Sequence, residues 1–107
     1  MPEDLGSFLP LSPANLYILF SLAAEDRHGY GIMQEVTRQS GGQYKLGPGT
    51  LYGAITRLEE RGWIRPVAAE DRRQPYTITA LGRRHLEDQV SSMNAVVKAA
   101  QRRLRHA

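Results

Sequence analysis

Apolar positions along the chain change period from helical to alternating and back to helical. Leu16, Leu19, Phe20 and Ala23 follow Ser12-Pro13 at helical spacing. Ser12 is a good N-cap, and Pro13 suits the first helical position, where a missing N–H forfeits no intrahelical bond. A first helix is predicted there, ending at the charged turn Glu25-Asp26-Arg27. His28-Gly29-Tyr30-Gly31 leads into a second helix with Ile32, Met33 and Val36 on its apolar face. Gly41-Gly42 closes it, because glycine tolerates the left-handed backbone of a helix C-terminus. After a short extended stretch, Gly47-Pro48-Gly49-Thr50 opens a third helix with Leu51, Ile55 and Leu58 as its buried stripe and Gly62 as its stop. Trp63 to Val67 and Pro75 to Ile78 are short strand candidates, joined by a polar loop from Ala68 to Gln74. Thr79 caps a final helix from about Ala80 to Arg105. On it Leu86, Val90, Met93, Val97, Ala100 and Leu104 alternate at spacings of four and three, a heptad-like seam. Residues 1–11 hold two prolines, a glycine and two acids, and predict an irregular arm packed through Leu5, Phe8, Leu9 and Leu11.

Three helices, a hairpin and a long last helix make a mainly α fold with a small β-hairpin, the order of a winged helix-turn-helix followed by a C-terminal dimerisation helix. The predicted division is an arm over 1–11, a DNA-binding unit over 12–79 and a pairing helix over 80–107. In such a fold the second helix braces the third, whose outer face enters the major groove of double-stranded DNA. With Leu51, Ile55 and Leu58 inward, that outer face carries Thr50, Gly53, Thr56, Arg57 and Glu60, with Tyr52 on its flank. Thr50, Tyr52, Thr56 and Arg57 can donate to phosphates or base edges, while Gly49 and Gly53 keep the face slim. Pro48 starts the helix, whose free N–H groups favour a phosphate. Glu59 and Glu60 limit the reading face to the first two turns. Lys45 precedes the helix, and Arg72-Arg73-Gln74 at the hairpin tip suits a phosphate run or a minor groove. The seam on the last helix has little body to pack against, so pairing with a second copy is the economical solution. Such a homodimer sets two recognition helices ~34 Å apart.

Composition narrows the function classes. With 41% hydrophobic and 23% charged residues in 107, the chain suits one folded domain with a modest core. The net charge is +3, but Lys98, Arg102, Arg103 and Arg105 lie in an acid-free last stretch, and the other ten cations face eleven acids. Bulk charge is therefore weak support for nucleic acid, and local placement carries the argument. There is no cysteine, so no disulfide and no thiolate zinc site. His28, His85 and His106 have no metal-ligand spacing, and no metal or cofactor is expected. Gly42 to Gly47 has phosphate-loop glycine spacing, but Pro48 and Gly49 stand where Lys and Ser/Thr are required. No Gly-x-Ser-x-Gly elbow occurs, so no enzyme is expected. Neither a signal peptide nor an apolar run of ~20 residues is legible, so no membrane contact is expected.

Four segments together resemble the PadR family of transcriptional regulators: His28-Gly29-Tyr30-Gly31-Ile32-Met33, Leu46-Gly47-Pro48-Gly49-Thr50-Leu51-Tyr52, Leu58-Glu59-Glu60-Arg61-Gly62-Trp63-Ile64, and Arg72-Arg73 followed by Tyr76-Thr77-Ile78-Thr79-Ala80-Leu81-Gly82. The resemblance covers about residues 11 to 90, and Pro-Gly-Thr-Leu-Tyr is its most specific run. It implies a cytoplasmic, homodimeric repressor with recognition helix from Pro48, wing around Arg72, and Thr50 and Tyr52 at the DNA surface. The single last helix is similar to the short-tailed members. Some such regulators bind flat aromatic compounds between their N- and C-terminal helices, which by analogy makes Leu11, Asn15, Tyr17, Met93 and Val97 the candidate site for a small-molecule effector. The last helix here has no aromatic residue, which speaks against a stacking pocket.

Blander roles stand beside these. Tyr52 can pack on the flank of its helix, Thr50 can bond locally at a helix start, and Arg72 and Arg73 can pair with Glu70 and Asp71 in a solvated turn. Tyr30 and Tyr76 read as core or junction residues and Trp63 as buried packing. The seam can fold back on the first helix. The alternative function is a winged-helix protein-protein interaction module without DNA binding.

Overall fold

The computed structural model describes residues 11–105. The arm residues Leu5, Phe8 and Leu9 and the chain's last two residues lie outside the described residues. The elements are α1 (Pro13–Ala24), β1 (Arg27–His28), α2 (Gly29–Gln39), α3 (Pro48–Glu60), β2 (Ile64–Pro66), β3 (Pro75–Ile78) and α4 (Ala80–Arg105). The strands form one antiparallel sheet in the order β1-β3-β2. The mainly α architecture with a winged hairpin and a long last helix is the one expected from the sequence.

Each helix begins and ends for a local reason. Ser12 Oγ accepts from the Asn15 N–H at 3.2 Å and Pro13 occupies the first turn of α1. His28 caps α2: its Nδ1 accepts from the Gly31 N–H at 3.2 Å. Beyond α2, Gly41 and Gly42 take φ of 64° and 82°, the left-handed region that glycine enters freely. At the end of α3 the Gly62 N–H donates to the Glu59 carbonyl and the Trp63 N–H to the Leu58 carbonyl, with Gly62 at φ 76°. That pair of bonds is a Schellman motif, and its usual apolar contact is present because Leu58 and Trp63 are both in the core. Thr79 Oγ1 accepts from the Gly82 N–H at the start of α4 and donates to the Gly62 carbonyl, tying α4 to the turn after α3.

The core lies among α1, α2, α3 and β2. Ile18, Leu19, Ile32, Val36, Leu51, Ala54, Ile55, Leu58 and Ile64 are buried, and Leu86 joins them from α4. Burying each large aliphatic chain contributes roughly 1.5–3 kcal/mol. The stripe read for α1 needs correction. Its core face is Ala14, Ile18, Leu19, Ser21 and Leu22, whereas Leu16 and Ala23 are half-buried and Phe20 is 45% exposed. A helix apolar nearly all round offers two stripes to a periodicity search. The second, Leu16-Phe20-Ala23, lines a groove against α4.

A strand absent from the sequence reading is β1. Two residues are too short for an alternating pattern, yet Arg27 pairs with Tyr76 and His28 with Pro75. This fastens the wing to the entrance of α2. On the other side β2 pairs with β3 in the register Ile64↔Ile78, Arg65↔Thr77, Pro66↔Tyr76. Pro66 is tolerated because β2 is an edge strand.

Arg27, read as part of a polar turn, is structural. Its Nε donates to the Ser21 carbonyl at 2.9 Å, and its guanidinium lies 3.7 Å from Glu35. Glu35 is buried and accepts from Arg38 at 3.0 and 2.6 Å and from Gln39 at 2.7 Å. These bonds, Arg38 first, hold the Glu35 carboxyl down at about 2, with the Arg27 charge adding to them against its burial.

Candidate nucleic-acid interface

The buried stripe of α3 fixes what its other face presents. With Leu51, Ala54, Ile55 and Leu58 inward, Pro48, Gly49, Thr50, Tyr52, Thr56 and Arg57 are exposed and Gly53 is half-buried. No side-chain bond to another described residue occupies the Thr50 hydroxyl. Thr56 Oγ1 donates back to the Tyr52 carbonyl at 3.0 Å, a local bond that leaves its lone pairs outward. Lys45 is exposed three residues before the helix start.

The wing tip meets the first turns of α3. Tyr52, Arg72, Arg73 and Gln74 line one cavity of about 260 Å³ with His28, Gly29, Tyr30 and Tyr76. Tyr52 is half-exposed, and its phenol lies over Gly29 so closely that a Cβ there would sit 2.5 Å from Oη. Flank packing and surface display are thus one arrangement, because the α2 glycine holds the ring from below.

The loop that carries the arginines is braced by its own side chains. Asp71 Oδ1 accepts from the Arg73 N–H at 2.8 Å, an Asx-type turn, and Asp71 Oδ2 lies 3.6 Å from Arg73 Nε. Gln74 Nε2 donates to the Val67 and Pro75 carbonyls at 2.9 and 2.8 Å. Gln74, read as a DNA contact, therefore uses both amide hydrogens to close the hairpin base. Arg72 and Arg73 are both exposed, and Arg73 brings Nη1 to 3.1 Å from His28 Nε2.

Sequence reasoning missed His28, Gly29 and Tyr30 as members of this site. Tyr30, read as a core or junction residue, is 60% exposed. Tyr76 is half-buried against the core, and burial together with the charge of Glu59 pushes its phenol up. The only available signal was position: a segment entering α2 is placed beside the wing once β1 forms, and β1 is too short to read. Trp63 is buried as expected, stacked on His85 at 4.3 Å, with the Arg61 guanidinium 5.3 Å from its ring.

The seam on α4 divides at its first residue. Leu86 is buried in the chain's own core, whereas Val90, Met93, Val97, Ala100 and Leu104 are exposed. An open apolar groove of about 800 Å³ runs between the first half of α4 and α1, lined by Leu16, Tyr17, Phe20, Val90, Met93 and Val97 among others. Of the five effector-site candidates, Tyr17, Met93 and Val97 line it. Leu11 and Asn15 do not: the Leu11 N–H donates to Gln89 Oε1 at 2.7 Å, and Asn15 Oδ1 is buried without a partner among the described residues. Tyr17 stacks on Tyr44 at 5.2 Å. Among the described residues no cluster of His, Asp or Glu is placed to hold a metal ion, and no helix is long and apolar enough to cross a membrane.

Known proteins share both the sequence pattern and the architecture. A 37.1 kDa uncharacterized transposon protein of Streptomyces fradiae is 40% identical over 80 residues, 75% of this chain but 23% of the relative, so the chain spans about a quarter of that protein's length. The structure of a transcriptional regulator from Clostridium thermocellum superposes with a TM-score of 0.70 at 27% identity, covering 82% of this chain and 89% of that one. A PadR family transcription regulator from Clostridium difficile shares the fold, with a TM-score of 0.74 at 22% identity over 87% of this chain and 99% of that one. The family model described as transcriptional regulator PadR-like matches residues 18–88, which span α1 from Ile18, the whole sheet and the start of α4. The chain belongs to the PadR-like family of transcriptional regulators.

Proposed function

We propose that this regulator is a homodimeric repressor that binds promoter DNA sequence-specifically, with residues 12–79 reading DNA and residues 80–107 pairing two copies. The observation that carries the reading is the cavity shared by Tyr52 and Arg72-Arg73, which sets the first turns of α3 and the wing tip on one face. Thr50, Tyr52, Thr56 and Arg57 read the major groove, and Pro48, Gly49 and Gly53 let the backbone approach. Lys45, Arg72 and Arg73 grip phosphates. Pairing supplies what one chain lacks, since the apolar side chains from Val90 to Leu104 face water in a single copy. The groove between α1 and α4 is the place for an effector to bias that pairing.

Fluorescence anisotropy on DNA from upstream of the gene, beside a scrambled duplex, tests this at several salt concentrations. Tighter binding to the upstream DNA, saturation at two chains per duplex and a log-log salt slope on the order of −5 to −8 are expected. Thr50→Ala erodes the preference for the upstream DNA, and Arg72→Ala weakens both duplexes alike. A chain that binds no duplex even at low salt sinks the reading and brings forward a winged-helix module that binds protein.

A further inference from the structure

His28 faces two donors and can accept from only one. The neutral imidazole has a single acceptor nitrogen. Its Nδ1 is 3.2 Å from the Gly31 N–H, which it caps at the start of α2. That tautomer leaves Nε2 as an N–H donor, yet Nε2 stands 3.1 Å from Arg73 Nη1, which can only donate. The other tautomer moves the conflict to the helix start, where Nδ1–H would oppose the Gly31 N–H. Either way one donor nitrogen is left facing another. An oxygen acceptor placed against both Nε2 and Nη1 removes the conflict and keeps the helix cap.

The surroundings favour an anionic acceptor. The 3.1 Å contact opens on the cavity of about 260 Å³ between the wing, α2 and α3. Besides His28 and Arg73 its walls carry Arg72 and the phenols Tyr30, Tyr52 and Tyr76, and among the described residues no carboxylate lines it. Asp71 touches Arg73 from the loop side, at Nε and the backbone N–H, and leaves Nη1 to the cavity. Tyr30 and Tyr52 are exposed at the mouth, so a group on a larger molecule can enter without the chain opening.

We infer that this cavity is a seat for one phosphate group, whose oxygen His28 Nε2–H and Arg73 share, and that the group is a DNA backbone phosphodiester. The inference rests on the DNA reading proposed above and gives it a contact outside α3 and the wing. His28 then has two duties at opposite edges of one ring: Nδ1 fixes the start of α2, and Nε2 with Arg73 clamps the strand between wing and body.

The test separates the seat from the DNA reading. The ring nitrogens of His28 and the Nε–H of Arg73 are followed by NMR in the full chain, titrated with a non-specific duplex at low salt and, separately, with inorganic phosphate. The duplex is expected to move both signals, and inorganic phosphate to leave them in place. His28→Asn keeps a side-chain cap on α2, because Asn is among the best N-cap residues, but cannot reach Arg73. It weakens duplex binding about tenfold per subunit, as does Arg73→Gln, and the double variant loses no more than the stronger single. Saturable movement by inorganic phosphate, abolished in His28→Asn, with none by the duplex overturns the DNA phosphodiester as occupant and leaves a seat for free phosphate. A duplex that shifts the Thr50 amide but leaves the His28 ring unmoved overturns the seat while the DNA reading stands. Losses that simply multiply in the double variant overturn the shared oxygen. No response to either probe overturns both.

Discussion

The Tyr52 ring rests on Gly29, with no room for even a methyl group between them: a Cβ at position 29 would lie 2.5 Å from Oη and 2.9 Å from Cζ. The α2 glycine thus sets the height at which an α3 phenol stands beside the wing. Gly29→Ala adds a residue that the helix itself prefers, so local propensity alone would stabilise the chain. The clash instead swings the flexible far end of Tyr52 outward. The expected result is a melting temperature within a few degrees of the parent and DNA affinity about tenfold weaker, about 1.4 kcal/mol. Thermal melts and anisotropy on the same samples check the pair. Unchanged affinity would show that the position of Tyr52 does not matter to DNA.

A different glycine separates packing from binding. Gly82 lies where a Cβ would run into the Trp63 carbonyl and come 3.1 Å from Ile78 Cγ1. That carbonyl already accepts from the Thr79 N–H at 3.0 Å and belongs to backbone, which cannot swing aside as a tyrosine can. Gly82→Ala forces α4 away from the β2–β3 edge and is expected to destabilise by about 2–3 kcal/mol, or roughly 10–20 °C in melting temperature. Chemical denaturation of the two proteins measures it. An alanine variant as stable as the parent would mean that α4 can shift at no cost.

The contrast between these positions shows which parts of the molecule were legible. Periodicity exposed α3 and α4 because each has one apolar face, and glycines at positive φ marked the ends of α2 and α3. The same method failed on α1, where Phe20 and Leu19 are equally apolar and only tertiary packing decides which is buried. It failed on β1 because two residues carry no period. Without β1 there is no reason to bring His28 and Tyr30 to the wing, so the cavity is invisible in the sequence although Tyr52, Arg72, Arg73 and Gln74 are legible as surface residues. Glu35 was unreadable for another reason: a carboxylate on a helix reads as a solvated position until its partners, one of them Arg27 on β1, are seen around it.

That carboxylate makes stability depend on acid. Hydrogen bonds from Arg38 and Gln39 with the charge of Arg27 lower the Glu35 pKa from 4.5 to about 2 in the folded chain. A depressed folded value means that the unfolded chain takes up the proton first. The stabilisation is therefore complete above about 4.5 and disappears as the pH falls toward about 2. Glu35→Gln cannot show this dependence. The stability difference between parent and variant, from urea titrations at stepped pH, is expected to be constant above pH 5 and to shrink steadily through that acidic window. A difference independent of pH would place the carboxylate's contribution in its shape and not its charge.

The exposed seam of α4 carries the proposed assembly and gives the most direct prediction. At about 1.5 Å per residue, the stretch from Val90 to Leu104 extends some 21 Å along the helix, with Val90, Met93, Val97 and Leu104 between 44% and 76% exposed. Val97 sits near the middle of that stretch and outside the chain's own core. Val97→Glu therefore leaves the fold of one chain intact but brings two carboxylates together across a two-fold axis in an apolar setting. Dimerisation is expected to weaken on the order of 100-fold, about 2.7 kcal/mol, as read by analytical ultracentrifugation over a concentration series. The same change at Leu86 would instead unfold the core, so it cannot report on pairing. Loss of the dimer should reduce DNA affinity and halve the salt slope, since a lone chain neutralises half as many phosphates. A Val97→Glu protein that remains dimeric at the parent's concentrations would exclude this seam as the pairing surface. It would return the exposed residues of α4 to the groove they share with Leu16, Tyr17 and Phe20.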